Sequence, residues 1–265
     1  MNLRHAFYQE TLAHFIRDRD ASILVCAGGN LDKDVFQREG FTNVTISNLD
    51  VRMQGEEYAP YKWLFADAQA LPCDDESYDY VVIHAALHHC SLPHKALTEM
   101  YRAARKAILA FEARDSLIMR LIVRLRLTQV FEHTAVYYND CKFGGVNNTE
   151  IPNYVYRWTE REVEKTINAF APYGQNTFRF RYGTAYPTTP EAEKNASLKV
   201  ALVRMARPWF WLFARLFPRQ QNLFAFYVEK PSLPRDLYPW LAWDSTQGKP
   251  VFNREFGERL YKKGA

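Results

Sequence analysis

Four histidines fall within eleven residues, H-A-A-L-H-H-C-S-L-P-H, as His84, His88, His89 and His94. Imidazole titrates near neutral pH and is a common metal ligand, so the cluster suits proton transfer or metal binding. His84 and His88 have the i, i+4 spacing of two ligands on one helix face. The run YDYVVIHAA reads as a strand ending at His84, however, so helical spacing does not join the pair. No carboxylate-rich motif accompanies it, and the expectation is a cluster without a metal. His88 or His89 can then serve as a general base, and a purely structural role for the pair is the alternative.

A second candidate is the turn V-C-A-G-G-N-L-D. Glycine there lets a ligand approach the backbone, and the N-terminus of a following helix offers free N–H groups. A tight turn without a ligand would look the same. Asn48 and Asp50 lie 19 and 21 residues after Gly29, where a ribose-binding acid is expected. Asp67, in FADAQALP, stands at the tip of a third apolar run.

These residues need a scaffold, and the first half provides one. Residues 5–18 have helical spacing, ILVCAGG suits a buried strand, and residues 31–40 read as a helix capped by Gly40. NVTISNLD, WLFADA, YDYVVIHAA and KAILAFEA follow as strands, with a helix in LPHKALTEMYRAAR. Thr159 and Glu162 form a capping box for REVEKTINAF. NTFRFRYGTAY and NLFAFYVEK alternate as strands six and seven. The expected fold is α/β: a doubly wound, Rossmann-like, seven-stranded sheet with an antiparallel edge hairpin and helical insertions. Residues 1–115 form its cofactor-binding core. Residues 116–230 supply acceptor-covering helices and a loop, with strands six and seven completing the same sheet. Residues 231–265 read as an extended tail.

The order of these segments resembles the class I S-adenosylmethionine-dependent methyltransferases, in particular the small-molecule, type 11-like branch. The patterns F-x-x-x-D-A-x-x-L-P and F-D-x-V-x-x-x-x-x-L-H-H carry the likeness, here as FADAQALP and YDYVVIHAALHH, over residues 20–115. The resemblance implies S-adenosylmethionine as cofactor, with Ala27, Gly28 and Gly29 beneath its methionine part. It implies Asn48 or Asp50 at the ribose hydroxyls, Asp67 and Ala68 at adenine, and His84 at the methyl-transfer face. The family's first loop reads acid-x-G-x-G-x-G, whereas Val25, Ala27 and Leu31 stand here at the acid and at the first and third glycines.

The second half points to the acceptor. Of 40 aromatic residues, 27 lie in residues 131–265. The loop 131–157 and the start of the next helix offer Tyr137, Tyr138, Asn139, Asn147, Arg157 and Trp158 to stack on and hydrogen-bond a polar ring, with Gly144 and Gly145 as a hinge for a lid. Packing of a small subdomain is the competing reading. Residues 116–130 and 197–220 carry three and five cations without an acid, beside many Leu, Trp and Phe. Such segments suit a substrate cap, or contact with a membrane surface. They supply +8 of a net +4, so the rest of the chain is mildly acidic and no nucleic-acid partner is expected. Scattered cysteines and an N-terminus without an apolar run give the expectation of a cytoplasmic chain with free thiols, in contact with a membrane surface.

The leading expectation is a methyltransferase acting on oxygen or nitrogen of a small-molecule acceptor, a glycan or lipid-linked glycan precursor of polysaccharide biosynthesis. One alternative is a non-catalytic binding or scaffold protein of the same fold. A nicotinamide-dependent oxidoreductase is another, although it calls for the G-x-G-x-x-G that C-A-G-G-N-L-D lacks.

Overall fold

The computed structural model describes residues 3–53, 55–185, 205, 209 and 211–262. Apolar runs become strands where both faces are covered: β1 (Ile23–Cys26) is buried throughout, and β2 (Val44–Asn48) is buried up to its last residue. β3 (Lys62–Phe65), β4 (Tyr78–His84) and β5 (Ala104–Ala113) extend the parallel sheet. β6 (Thr177–Gly183) and β7 (Leu223–Glu229) complete it, with β7 antiparallel to both β5 and β6. The strand order is β3-β2-β1-β4-β5-β7-β6. The order reverses between β1 and β4, so the loops leaving those strands diverge and open a crevice at their carboxyl ends.

Helices cover both faces. α1 (Leu3–Phe15) and α2 (Asn30–Arg38) pack with Ile23, Val25, Ile46 and Val82 through Tyr8, Leu12, Val35 and Phe36. α3 (Pro93–Ala103) and α6 (Glu160–Phe170) bury Leu97, Met100, Val163 and Ile167 against Leu24, Val81, Ile83 and Phe226. Neighbours along β1 thus feed opposite cores, as the two-residue period of a strand requires. The predicted caps are present. Gly40 takes φ +76° just beyond α2. Thr159 Oγ1 accepts from the Glu162 amide at 3.2 Å, and Glu162 Oε2 accepts from the Thr159 amide at 3.1 Å.

Two expectations are corrected. The helix expected over residues 116–130 is α4, Leu117–Arg124, which ends before Arg126 takes φ +55°. The tail is not an extended wrap. It folds into a hairpin of β8 (Leu241–Asp244) and β9 (Lys249–Phe252), then helix α7 (Arg254–Tyr261). Four-residue strands with a tight turn at Gly248, φ +62°, carry too little periodic pattern to stand out among prolines. Most of the second basic segment lies outside the described residues; within it, residues 211–216 are helical. Among the described residues no helix is long and apolar enough to cross a membrane.

Candidate active site

The crevice is lined by strand tips. After β1 the chain turns at Ala27, φ +50°, and after β4 at Ala85, φ +51°. Alanine rarely adopts this left-handed conformation, so each of the two loops that flank the switch point carries local backbone strain. A Cβ on Gly28 would stand 2.9 Å from Ile46 and 3.0 Å from Val25, whereas one on Gly29 meets nothing within 4 Å. The turn is therefore packed from below and open above, at the N-terminus of α2. Asp32 Oδ2 accepts from the Gly29 amide at 2.8 Å and Oδ1 from the Tyr8 hydroxyl at 2.7 Å. Burial pushes the Asp32 carboxyl up to about 6, against both hydrogen bonds.

At the tip of β2, Asn48 is consumed internally. Its Nδ2 donates to the Gly28 carbonyl at 2.9 Å, and its Oδ1 accepts from the Asp50 amide at 3.0 Å. Asp50 is gripped in bidentate fashion by Arg52, which holds its pKa below the usual carboxylate range. Beyond β3, Asp67 accepts from the Gln69 amide at 2.8 Å and from Gln69 Nε2 at 3.1 Å, and Ala68 is buried. His84, at the end of β4, is stacked on Tyr8 at 4.3 Å and meets Phe111 edge-on. Burial holds its pKa down at about 4, so it is neutral at physiological pH.

The long loop seats itself on these tips. Arg52 donates to Asn139 Oδ1 at 3.0 Å and lies over the Phe143 ring at 4.2 Å. Asn147 Oδ1 accepts from Gln69 Nε2 and from the Ser91 amide, and Asn147 Nδ2 donates to Ser91 Oγ. Asn139 and Asn147, expected at an acceptor, thus hold the loop over the carboxylates Asp50 and Asp67. Gly144 and Gly145 do not act as a loose hinge. Gly144 has φ +87°, and a Cβ on Gly145 would collide with the Ile151 carbonyl, so both are fixed in a tight turn.

Two further expectations are revised by burial. Trp158 is 0 % exposed, packed against Phe226 and Tyr156, and is core rather than substrate surface. Its amide donates to the Ala113 carbonyl, which continues β5 into the segment before α6. Arg157 turns inward to the carbonyls of Val155 and Gln129, and burial lowers its pKa. It lines a cleft of ≈ 390 Å³ with Asp115, Arg120, Tyr154 and Glu162. Tyr137 and Tyr138 are 70 % and 71 % exposed and pack on each other.

His88 and His89 occupy one 3-10 turn, Leu87–His89, beside the end of β5. His88 Nδ1 lies 2.6 Å from Glu112 Oε2, and its Nε2 lies 3.2 Å from Glu132 Oε2. Burial opposes charge on the ring, but the two carboxylates outweigh it and raise the pKa to about 10. A ring that keeps its proton at neutral pH does not suit a general base, which corrects that expectation for His88. His89 is lowered by burial and by the neighbouring His88 charge. Glu132 is held down at about 2, the His88 bond and charge overcoming its burial. Glu112, Glu132, Tyr8 and Asp32 were not singled out in the sequence. Glu112 could have been found as the lone acid of β5, next to the apolar run Ala107–Phe111; Glu132 had no local signal.

A glycine turn with free space above it, and carboxylates at the tips beyond β2 and β3, are groups that fit S-adenosylmethionine. Residues 26–109 match the family model described as "Methyltransferase domain". No curated protein matches the chain in sequence. Among solved structures, it is similar to a chain of the Haloferax volcanii complex containing the Trm112 methyltransferase activator. That pair shares 12 % identity over 86 % of this chain and 90 % of that one, with TM-score 0.54. The PH0226 protein of Pyrococcus horikoshii OT3 matches at 13 % identity over 86 % and 90 %, with TM-score 0.50. The [4+2]-cyclase SpnF matches at 13 % identity over 85 % and 81 %, with TM-score 0.51. At such identities the structural likeness speaks for the fold alone, and the sequence match speaks for a methyltransferase domain within residues 26–109. Over residues 26–109 the chain is therefore similar to the S-adenosylmethionine-dependent methyltransferase domains.

Proposed function

We propose that the protein transfers a methyl group from S-adenosylmethionine to oxygen or nitrogen of a small-molecule acceptor. The observation that carries this is the placement of the glycine turn, Asp50, Asp67 and His84 along one carboxyl edge at the switch point. The bound cofactor supplies a methyl already activated on a sulfonium, so positioning and exclusion of water provide much of the rate. Gly28 and Gly29 cradle the methionine part, Asp50 receives the ribose hydroxyls, and Asp67 with Ala68 receives adenine. His84, neutral and clamped by Tyr8 and Phe111, forms an uncharged wall at the methyl. His88, His89, Glu112 and Glu132 face the acceptor side of the same mouth.

The acceptor we favour is a glycan or lipid-linked glycan precursor. Support for the lipid comes from a stripe of exposed apolar side chains on α4, Leu117, Leu121 and Leu125, beside Arg120 and Arg124. Trp211, Leu216 and Phe217 are also exposed, and Ser116 bonds to Gln220, so the start of α4 lies beside the chain around Gln220. Apolar residues flanked by arginine suit an interface between water and acyl chains.

A second reading, a binding or scaffold protein of this fold, is favoured by the way Arg52 and Gln69 already occupy Asp50 and Asp67. Calorimetric titration with S-adenosylmethionine and with NADH decides. Heat and a thermal shift with the first ligand alone support the transferase. Asp67→Ala should weaken that binding about tenfold or more, as expected for a lost charged hydrogen bond. Unchanged affinity would move the adenine site elsewhere.

A further inference from the structure

The Nε2 atoms of His88 and His89 stand 3.2 Å and 3.4 Å from one oxygen, Glu132 Oε2. All three ligand atoms lie within 4.8 Å of one another. A four-coordinate zinc ion with bonds of about 2.0–2.1 Å spaces its ligand atoms about 3.3–3.4 Å apart. Both measured edges therefore have the length of a tetrahedral edge, and the set of two imidazoles and one carboxylate is a known zinc donor set. Two imidazoles argue against Mg²⁺ or Ca²⁺, which take oxygen ligands.

The surroundings are those of metal ligands. His88 turns its Nδ1 to Glu112 at 2.6 Å, and the other oxygen of that buried carboxylate accepts from the Leu87 amide at 2.7 Å. The His89 ring lies near the Gly145 backbone. Ligating imidazoles regularly give their second N–H to a carboxylate or a backbone carbonyl, which fixes ring and tautomer. Asn153 is 2 % exposed, with Nδ2 3.5 Å from Glu132 Oε2, yet its Oδ1 has no partner. The cluster thus holds an orphaned acceptor beside the Glu132 carboxylate. A divalent cation balances Glu112 and Glu132 with both rings neutral.

We propose that His88, His89 and Glu132 bind one divalent transition-metal cation of the zinc type, with Glu112 as the positioning residue behind His88. The site deepens the transferase reading, and its role rests on that reading. An acceptor hydroxyl bound to the cation would lose its proton to solvent more readily; its oxygen would then take the methyl as the C–S bond breaks, and S-adenosylhomocysteine would leave.

The test uses the full chain stripped with EDTA and titrated with ZnCl₂ by calorimetry, with metal counted by mass spectrometry after desalting. One equivalent should be taken up. His89→Ala and Glu132→Gln should each weaken uptake about 100-fold, and Glu112→Gln about 10–100-fold. Co²⁺ in place of Zn²⁺ should give the intense visible absorption of a four-coordinate site in the unaltered protein, which does not depend on how the variants fold. No stoichiometric uptake overturns the proposal, and so does uptake that survives both the His89 and Glu132 substitutions. S-adenosylmethionine titrated into the same stripped protein separates the two ideas. Cofactor heat without zinc uptake defeats the metal site alone; zinc uptake without cofactor heat defeats the transferase reading alone.

Discussion

At position 25, where the family carries an acid, valine is buried, and a carboxylate reaches the glycine turn from α2 instead. Asp32 sits 2.8 Å from the Gly29 amide, in a place where burial lifts its pKa to about 6. The folded value exceeds the unfolded one, near 3.9, so between them the folded state holds a proton that the unfolded state lacks. This contribution to stability is present below about pH 4 and is lost as pH rises through about 6. Denaturation midpoints should show that slope, and Asp32→Asn should flatten it; parallel profiles would refute the assignment. Ala27 invites the opposite repair. With φ +50°, Ala27→Gly should be neutral or stabilising by up to about 1 kcal/mol in urea unfolding, because glycine adopts this region without penalty. The strand-tip residues Asp50, Asp67 and His84 were legible because apolar runs fixed where each strand ended. The partners of His88 were not: Glu112 and Glu132 lie 24 and 44 residues away, and only the folded chain brings them together.

Among the elements, the loop over the crevice departs most from its sequence reading. Its aromatic and amide residues suggested an acceptor surface, but local sequence cannot show which side of a loop meets the sheet. Asn139 and Asn147 face the cofactor edge, while Tyr137 and Tyr138 face solvent. Trp158 misled for the same reason: a large ring next to a polar loop looks like a binding platform until strand β5 is seen to run on beneath it. The glycines make the loop rigid. Gly145→Ala should drive the Ile151 carbonyl away and destabilise the loop by about 1–3 kcal/mol, the usual cost of overpacking. Faster hydrogen exchange across residues 131–157, with little change in the sheet, is the expected result. Uniform exchange would mean the turn tolerates a side chain.

Over the whole molecule, the seven-stranded sheet and its antiparallel edge pair followed from alternating apolar runs and helical spacing, which long-range topology rules convert into a fold. The net charge of +4 concealed its distribution, and the described structure places α4 beside the chain around Gln220. If that face meets a lipid surface, vesicles with anionic lipid should sediment the protein at low salt and release it as salt rises. Leu121→Glu, at a half-exposed position, should reduce sedimentation several-fold without lowering Tm. Equal sedimentation would remove the membrane from the account.

The grip of Arg52 on Asp50, and of Gln69 on Asp67, makes the protein its own competitor. If Asp50 and Asp67 receive a nucleoside as proposed, its entry must evict an internal tenant at each end, and Asn139 and Asn147 pass that eviction on to the covering loop. Apparent affinity falls by the fraction of molecules in which these sites are vacated. The same tenants return when the ligand leaves, so what is lost in tightness of binding reappears as speed of exchange.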